Sequence, residues 1–173
     1  MAKERSGAVT MRGNPLTLIG PELKAGDAAP NAILLNGSLA DTSILSADKV
    51  RVVSVVPSLD TPVCDIQTKR FNEEAGQLGD DIEIVTVSAD LPFAQGRWCS
   101  ANNVDRVICL SDHREMAFGN AYGVHVKELR LDARAIFVID RQGKIVHAEY
   151  VKEIAEQPDY AAALKAARAA AAA

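Results

Sequence analysis

The chain has 173 residues, a formal net charge of −4, 48% hydrophobic residues and three cysteines. This length predicts one domain spanning 1–173, able to bury roughly 70% of its unfolded surface, so a core needs no disulfide. The absence of a net basic field argues against a nucleic-acid partner, and no apolar run approaches the ~20 residues of a membrane span.

Met1–Ser6 is charged and expected to be loose, as are residues 1–8 in general. Met1–Gly13 lacks the apolar core of a secretory signal, so cytoplasmic residence is expected. Val9–Met11 and Leu16–Ile19 are β-like runs around the turn signal Arg12-Gly13-Asn14-Pro15, which predicts an N-terminal hairpin. Lys24–Asn31 is a turn-rich connector, Ala32–Leu35 a strand closed by Asn36-Gly37, and Thr42–Leu45 a short helical turn. Val50–Val56 is a buried strand. The following pattern predicts a helix to about Leu78 with Val63, Ile66, Phe71, Ala75 and Leu78 near one face. Ile82–Ser88 is a second strand, so this strand–helix–strand order implies a parallel pair with a right-handed crossover. Pro92–Ala101 is a short helix, Val107–Ser111 a third strand and Glu115–Ala121 another helix ending at Tyr122-Gly123. Ala135–Ile139 and Lys144–Val151 form a hairpin through Asp140-Arg141-Gln142-Gly143. Asp159–Ala170 is an Ala-rich helix capped by Pro158-Asp159, and Ala169–Ala173 is read as a frayed end. The α/β order resembles a thioredoxin-like fold, a central mixed sheet flanked by helices, with an N-terminal β-hairpin added.

The most informative stretch is Pro57-Ser58-Leu59-Asp60-Thr61-Pro62-Val63-Cys64, where the first strong strand ends and its helix begins. Thr61 suits the N-cap and Pro62 the first helical position, because the missing N–H would have no partner there. Cys64 is then the third helical residue. The first N–H groups of a helix lack intrahelical acceptors and carry the positive end of the macrodipole, which favours a thiolate, the reactive form of cysteine. Asp60 and Asp65 oppose this, so a cation is expected nearby. The alternative is an inert core cysteine.

An odd cysteine count argues for thiols with separate tasks. Cys109 lies in an apolar strand and reads as a buried structural thiol. Cys99, on a short helix beside Arg97, is more accessible and more electropositive. His113, His125 and His147 are scattered, and Cys109-x-x-x-His113 is a poor zinc signal, so no metal is expected. No Gly-rich phosphate loop suggests a nucleotide or flavin, and no Cys-x-x-Cys pair occurs. Phe93, Trp98 and Tyr122 read as core aromatics.

Pro57-x-x-x-Thr61-x-x-Cys64 resembles the active-site motif of the peroxiredoxins. Pro57–Asn72, together with Ser88-Ala89-Asp90-Leu91-Pro92-Phe93-Ala94-Gln95-x-Arg97-x-Cys99, is similar to the bacterial thiol peroxidase branch. The likeness runs from about Val9 to Ala166. It includes Ala121-Tyr122-Gly123-Val124, Ala133-Arg134-Ala135 and Pro158-Asp159-Tyr160-x-Ala162-Ala163-Leu164. The resemblance implies that Cys64 is the peroxidatic nucleophile, with Thr61, Pro57 and Arg134 around it, Arg134 standing at the place of the family's arginine. It implies resolution of the Cys64 sulfenic acid by Cys99 through an intramolecular Cys64–Cys99 disulfide, for which both helices must partly unwind. That redox-active disulfide would serve in place of a cofactor. Thioredoxin as reductant, hydrogen peroxide and organic hydroperoxides as substrates, and a homodimer are implied in the same way. Two other readings stay open: a single-cysteine peroxidase resolved by an outside thiol, and a non-catalytic redox sensor that passes oxidation to a partner.

Overall fold

The computed structural model describes residues 2–173; Met1, and with it the first residue of the expected loose end, lies outside the described residues. In chain order the elements are β1 (Glu4–Met11), β2 (Asn14–Ile19), β3 (Ile33–Leu35), β4 (Asp41–Ser43), β5 (Val50–Val55), α1 (Pro62–Ala75), β6 (Ile82–Ser88), α2 (Pro92–Ala101) and β7 (Ile108–Ser111). They continue with α3 (Ala117–Tyr122), β8 (His125–Val126), β9 (Leu131–Asp132), β10 (Ala135–Ile139), β11 (Ile145–Tyr150) and α4 (Tyr160–Ala172).

The main sheet runs β11-β10-β5-β6-β7-β3-β4, with β5, β6 and β7 parallel and β10 antiparallel to β5. Its central strands are Val/Ile-rich and buried on both faces, as parallel strands with helical crossovers must be. One face packs Val50, Val52, Ile84, Ile136 and Val138 against Phe71 of α1 and Ala163, Leu164 and Ala167 of α4. The other face packs Val53, Val55, Val85, Val87 and Phe137 with Val9, Leu18, Phe118, Tyr122 and Val126, joining the main sheet to a smaller sheet ordered β1-β2-β8-β9.

Four expectations are corrected. The N-terminal stretch is a strand from Glu4, because β1 pairs with β2 and Arg5 donates to the carbonyls of Gly20 (3.1 Å) and Gly123 (2.5 Å). The hairpin turn is only Arg12-Gly13, both at positive φ (50° and 79°), so Asn14 and Pro15 already belong to β2. Thr42 and Ser43 lie in a strand, not a helical turn: the Asn36 side chain accepts from the N–H groups of Ser38 and Ala40 and closes a β3–β4 hairpin. The terminal alanines are helical through Ala172, with Asp159 capping α4 by accepting from Ala162 N at 3.0 Å.

Helix α1 ends at Ala75, and its buried residues are Cys64, Gln67, Thr68 and Phe71, whereas Ile66 is 55% exposed. The inward face therefore follows Cys64 at i, i+3, i+4 and i+7 and carries two polar side chains. That polar content reflects what the face has to hold.

The hairpin tip of β1–β2 is tied to the segment after β11. The Glu153 carboxylate accepts from Thr10 Oγ1 (2.7 Å), Arg12 N (3.0 Å) and Gly13 N (3.1 Å), and Thr10 N donates to Lys152 O. Ile154, the next residue, belongs to the cysteine site.

Candidate active site

Strand β5 delivers the chain to Val56 and Pro57, and α1 starts at Pro62 with Cys64 its third residue. The connection is pinned by Asp90, at the corresponding end of β6. Its carboxylate accepts from Ser58 Oγ (2.7 Å), Leu59 N (2.8 Å) and Ser88 Oγ (2.8 Å). Thr61 has the extended backbone of an N-cap, but its hydroxyl donates to Ser58 O (2.9 Å) and does not cap the helix. The side chain tightens the turn preceding the helix and makes no hydrogen bond to the N–H groups of the first turn.

Cys64 is fully buried, in a cluster with Val56 and Leu59 against which Trp98 and Cys109 pack. The cation expected from Asp60 and Asp65 is Arg134, which enters from the residue before β10 and is itself 2% exposed. Its Nη2 donates to Cys64 Sγ at 3.1 Å, Nη1 to Gln67 Oε1 at 2.6 Å and Nε to Ile154 O at 2.7 Å. Gln67 Nε2 in turn donates to Ser54 Oγ at 2.7 Å. A buried guanidinium is costly unless its fork of donors is matched, and here sulfur, amide and carbonyl occupy three of them. Asp65 is drawn off by Lys69 at 2.9 Å.

A cavity of about 330 Å³ opens beside this group, bordered by Met11, Arg12, Pro57, Thr61, Pro62 and Arg134. The structure thus brings Cys64, Arg134, Pro57 and Thr61 to one place. Cys99 is elsewhere: none of the three cysteines is in a disulfide, and Cys99 is not in the cluster around Cys64. Its Sγ lies 3.3 Å from Cys109 Sγ. Contact with Cys109 pulls the Cys99 thiol below its ordinary range, while the same contact, followed by burial, holds the Cys109 proton well above it. Cys109, expected as a buried structural thiol, is only partly buried and touches Cys99. Tyr122 is core, but Phe93 is 66% exposed, contrary to its reading as core.

Sequence reasoning missed Gln67, Ser54, Ile154 and Asp90. Gln67 had a signal, since it lies three residues after Cys64 on the same helix face. Ser54, on β5, and Asp90, within the Ser88–Cys99 block, carry no local pattern that marks a role, and Ile154 meets the site only through Arg134. Among the described residues no group of three or more His, Cys, Asp or Glu side chains could hold a metal ion, and no helix is long and apolar enough to cross a membrane.

Residues 24–164 match the Redoxin family. The thiol peroxidase of Bacillus subtilis (strain 168) is 54% identical over 162 residues, 93% of this chain and 96% of its own. That of Halalkalibacterium halodurans is 52% identical over 164 residues, 94% of this chain and 98% of its own. Among solved structures, a peroxiredoxin-like protein from Aquifex aeolicus matches with a TM-score of 0.88 at 40% identity, covering 97% of this chain and 98% of that one. A thiol peroxidase from Chromobacterium violaceum matches with a TM-score of 0.80 at 18% identity, covering 91% and 93%, a likeness of thioredoxin-like fold.

Proposed function

We propose, for a chain that belongs to the Redoxin family and within it to the thiol peroxidases, that peroxide is reduced at Cys64 and that Cys99 resolves the product. The protein is a peroxide-reducing thiol peroxidase of the peroxiredoxin type. The observation that carries the assignment of Cys64 is the 3.1 Å contact from the Arg134 guanidinium to its sulfur, beside an open cavity.

In this reading a hydroperoxide enters between Pro57, Thr61 and Met11, and the Cys64 sulfur attacks one oxygen while the other departs as hydroxide or alkoxide. Arg134 lies where charge leaves sulfur and builds on oxygen, so one fixed cation serves both ends of the displacement. Burial of Cys64 excludes water and strengthens that electrostatic term. Pro57 shields the sulfur, and Thr61 keeps the turn closed, which supports a preorganised site. The sulfenic acid left on Cys64 is then condensed with the Cys99 thiol, releasing water and forming a Cys64–Cys99 disulfide. Because Cys99 Sγ contacts Cys109 in the folded molecule, this step needs the first turn of α1 and part of α2 to open.

Thioredoxin is the proposed dithiol reductant, acting on one domain spanning the chain, in the cytoplasm. Exposed Ile66 on α1, and Leu91 and Phe93 at the start of α2, at 55%, 51% and 66%, support a homodimer assembled through these two helices. Thioredoxin-linked NADPH consumption with cumene hydroperoxide tests the reading. Wild type is expected to turn over, Cys64→Ser to lose activity altogether, and Cys99→Ser to stop after one oxidation. Full turnover of Cys99→Ser would replace internal resolution with an outside thiol.

A further inference from the structure

The 3.3 Å separation of Cys99 and Cys109 sulfurs places a second sulfur partner beside the resolving thiol. A disulfide needs S–S of about 2.04 Å, so this pair is little more than 1 Å from bonding distance, with α2 and β7 both intact. The Cys64–Cys99 bond of the proposed cycle, by contrast, is one for which α1 and α2 open. Two disulfides that share Cys99 therefore differ in what they cost the fold.

Cys109 is also on the correct side of the sheet. In the parallel register Ser54 pairs with Thr86, and Thr86 with Cys109, which sets the three in one row across β5, β6 and β7. Ser54 faces Gln67 and the Arg134 fork, and Cys109 packs against the Val56, Leu59, Cys64 cluster. Cys109 thus sits on a fixed strand beside the region that Cys99 must cross to reach Cys64.

Resting on the two-cysteine reading above, we infer that Cys109 is a third catalytic thiol that takes over the disulfide from Cys64, converting Cys64–Cys99 into Cys99–Cys109. The Cys109 sulfur attacks Cys99 Sγ, the Cys64–Cys99 bond breaks, and its electron pair leaves on Cys64. The Cys109 proton passes to solvent, so one disulfide is exchanged for another with no net oxidation. Arg134 is positioned to receive the released Cys64 sulfur, and α1 and α2 can close again. Once Cys99 is bound to Cys64, the largest of the influences that hold the Cys109 proton is removed, and burial, the next, remains. Cys99 and Cys109 both line a surface cavity of about 280 Å³ bordered by Asn36, Pro92, Gly96 and Val107, so the reductant would meet the disulfide there, away from the peroxide cavity.

Tryptic mapping distinguishes the bonds, because Cys64, Cys99 and Cys109 fall in separate peptides, 52–69, 98–106 and 107–114. Reduced wild-type protein is given one equivalent of cumene hydroperoxide without reductant, then alkylated at intervals. The inference expects an early 52–69 to 98–106 cross-link that gives way to a 98–106 to 107–114 cross-link, with Cys64 alkylatable again. It also expects a second equivalent of peroxide to be consumed by wild type and not by Cys109→Ser or Cys109→Ala. A persistent Cys64–Cys99 bond in wild type, with one equivalent consumed, overturns the transfer and leaves the two-cysteine reading standing. Oxidation confined to Cys64 overturns both. A Cys99–Cys109 bond formed equally fast in Cys64→Ser also overturns the inference, since it would mean direct oxidation of the pair.

Discussion

At the scale of single residues the site depends on one guanidinium satisfying three acceptors at once. Lysine keeps the charge at position 134 but presents a compact ammonium and cannot span Cys64 Sγ, Gln67 Oε1 and Ile154 O together. Arg134→Lys is therefore expected to slow Cys64 oxidation about 100-fold or more, the scale of losing a preorganised transition-state donor. Stopped-flow fluorescence of Trp98, which packs beside Cys64, reads that rate. Gln67 is a positioning residue, because it touches Arg134 and not the reacting atoms. Gln67→Met leaves one buried N–H of Arg134 unpaired, at a cost of about 1–3 kcal/mol. A roughly tenfold slower oxidation is expected at saturating peroxide, while Gln67→Glu, which keeps the acceptor, restores part of it; equal rates in all three would remove Gln67 from the site.

At the scale of elements, the hairpin and the two cysteine helices have opposite tasks. The Glu153 carboxylate fixes the Arg12-Gly13 tip, and with it Met11 and Arg12 at the cavity rim and the Ile154 carbonyl under Arg134. Hydrogen bonds from Thr10 and then Gly13 hold the Glu153 carboxyl down at about 2, from an ordinary 4.5. A lowered folded-state value means that its stabilisation is whole above about 4.5 and is lost as pH falls towards 2. Glu153→Gln should therefore loosen the hairpin at neutral pH and flatten the acid limb of the stability curve, as read by hydrogen exchange at Thr10–Gly13 and by melting below pH 5. In the proposed cycle helices α1 and α2 instead open. Neither N-cap side chain accepts from its helix, and both begin with proline. Amides in 64–68 and 95–101 are expected to exchange faster than those of β5 and β6, and equal protection would count against the opening step.

The elements that position Cys64 were legible because their signals are local. A Val-rich run, Thr-Pro before a cysteine and a second apolar strand define a strand–helix–strand unit without outside help. The face of α1 was not legible. Hydrophobic periodicity favoured Val63 and Ile66, but the buried arginine needs an amide partner, so Gln67 turns inward, beside Thr68, whose hydroxyl donates to the Cys64 carbonyl, and Ile66 faces out. Strands β8 and β9, with two residues each, carry too little pattern to read and exist because β2 offers an edge. The Cys99–Cys109 contact was hidden for the same reason, since it depends on how α2 lies over β7.

At the scale of the whole molecule, a pair of acids lies where the two sheets meet. Asp132, the last residue of β9, is fully buried, and neither of its oxygens accepts a hydrogen bond from an N–H or O–H donor among the described residues. Asp112, after β7, is 3% exposed and accepts from the N–H groups of Phe118 (2.9 Å) and Gly119 (2.8 Å) at the start of α3. Gly119 is needed here: a Cβ would stand 2.4 Å from Asp132 Oδ1 and 3.2 Å from Asp112 Oδ2. Burial first, and the Asp112 charge second, raise the Asp132 carboxyl well above its ordinary 3.8, so it keeps a proton that Asp112 can accept in a hydrogen bond. The unfolded chain releases that proton at lower pH than the folded one. Stability is therefore fully present below about 3.8 as far as this group is concerned, and declines as pH rises through the folded-state value. The trend is opposite to that of Glu153, so the two variants separate the two ends of the pH curve. Asp132→Asn supplies an N–H donor to Asp112 with no proton to lose. It should raise the melting temperature at about pH 8 by a few degrees, at about 2–4 °C per kcal/mol for a chain of this size, and leave it nearly unchanged at about pH 4. A variant that melts lower than wild type at both pH values would mean that the pair is ionised and paid for by contacts other than its own shared proton.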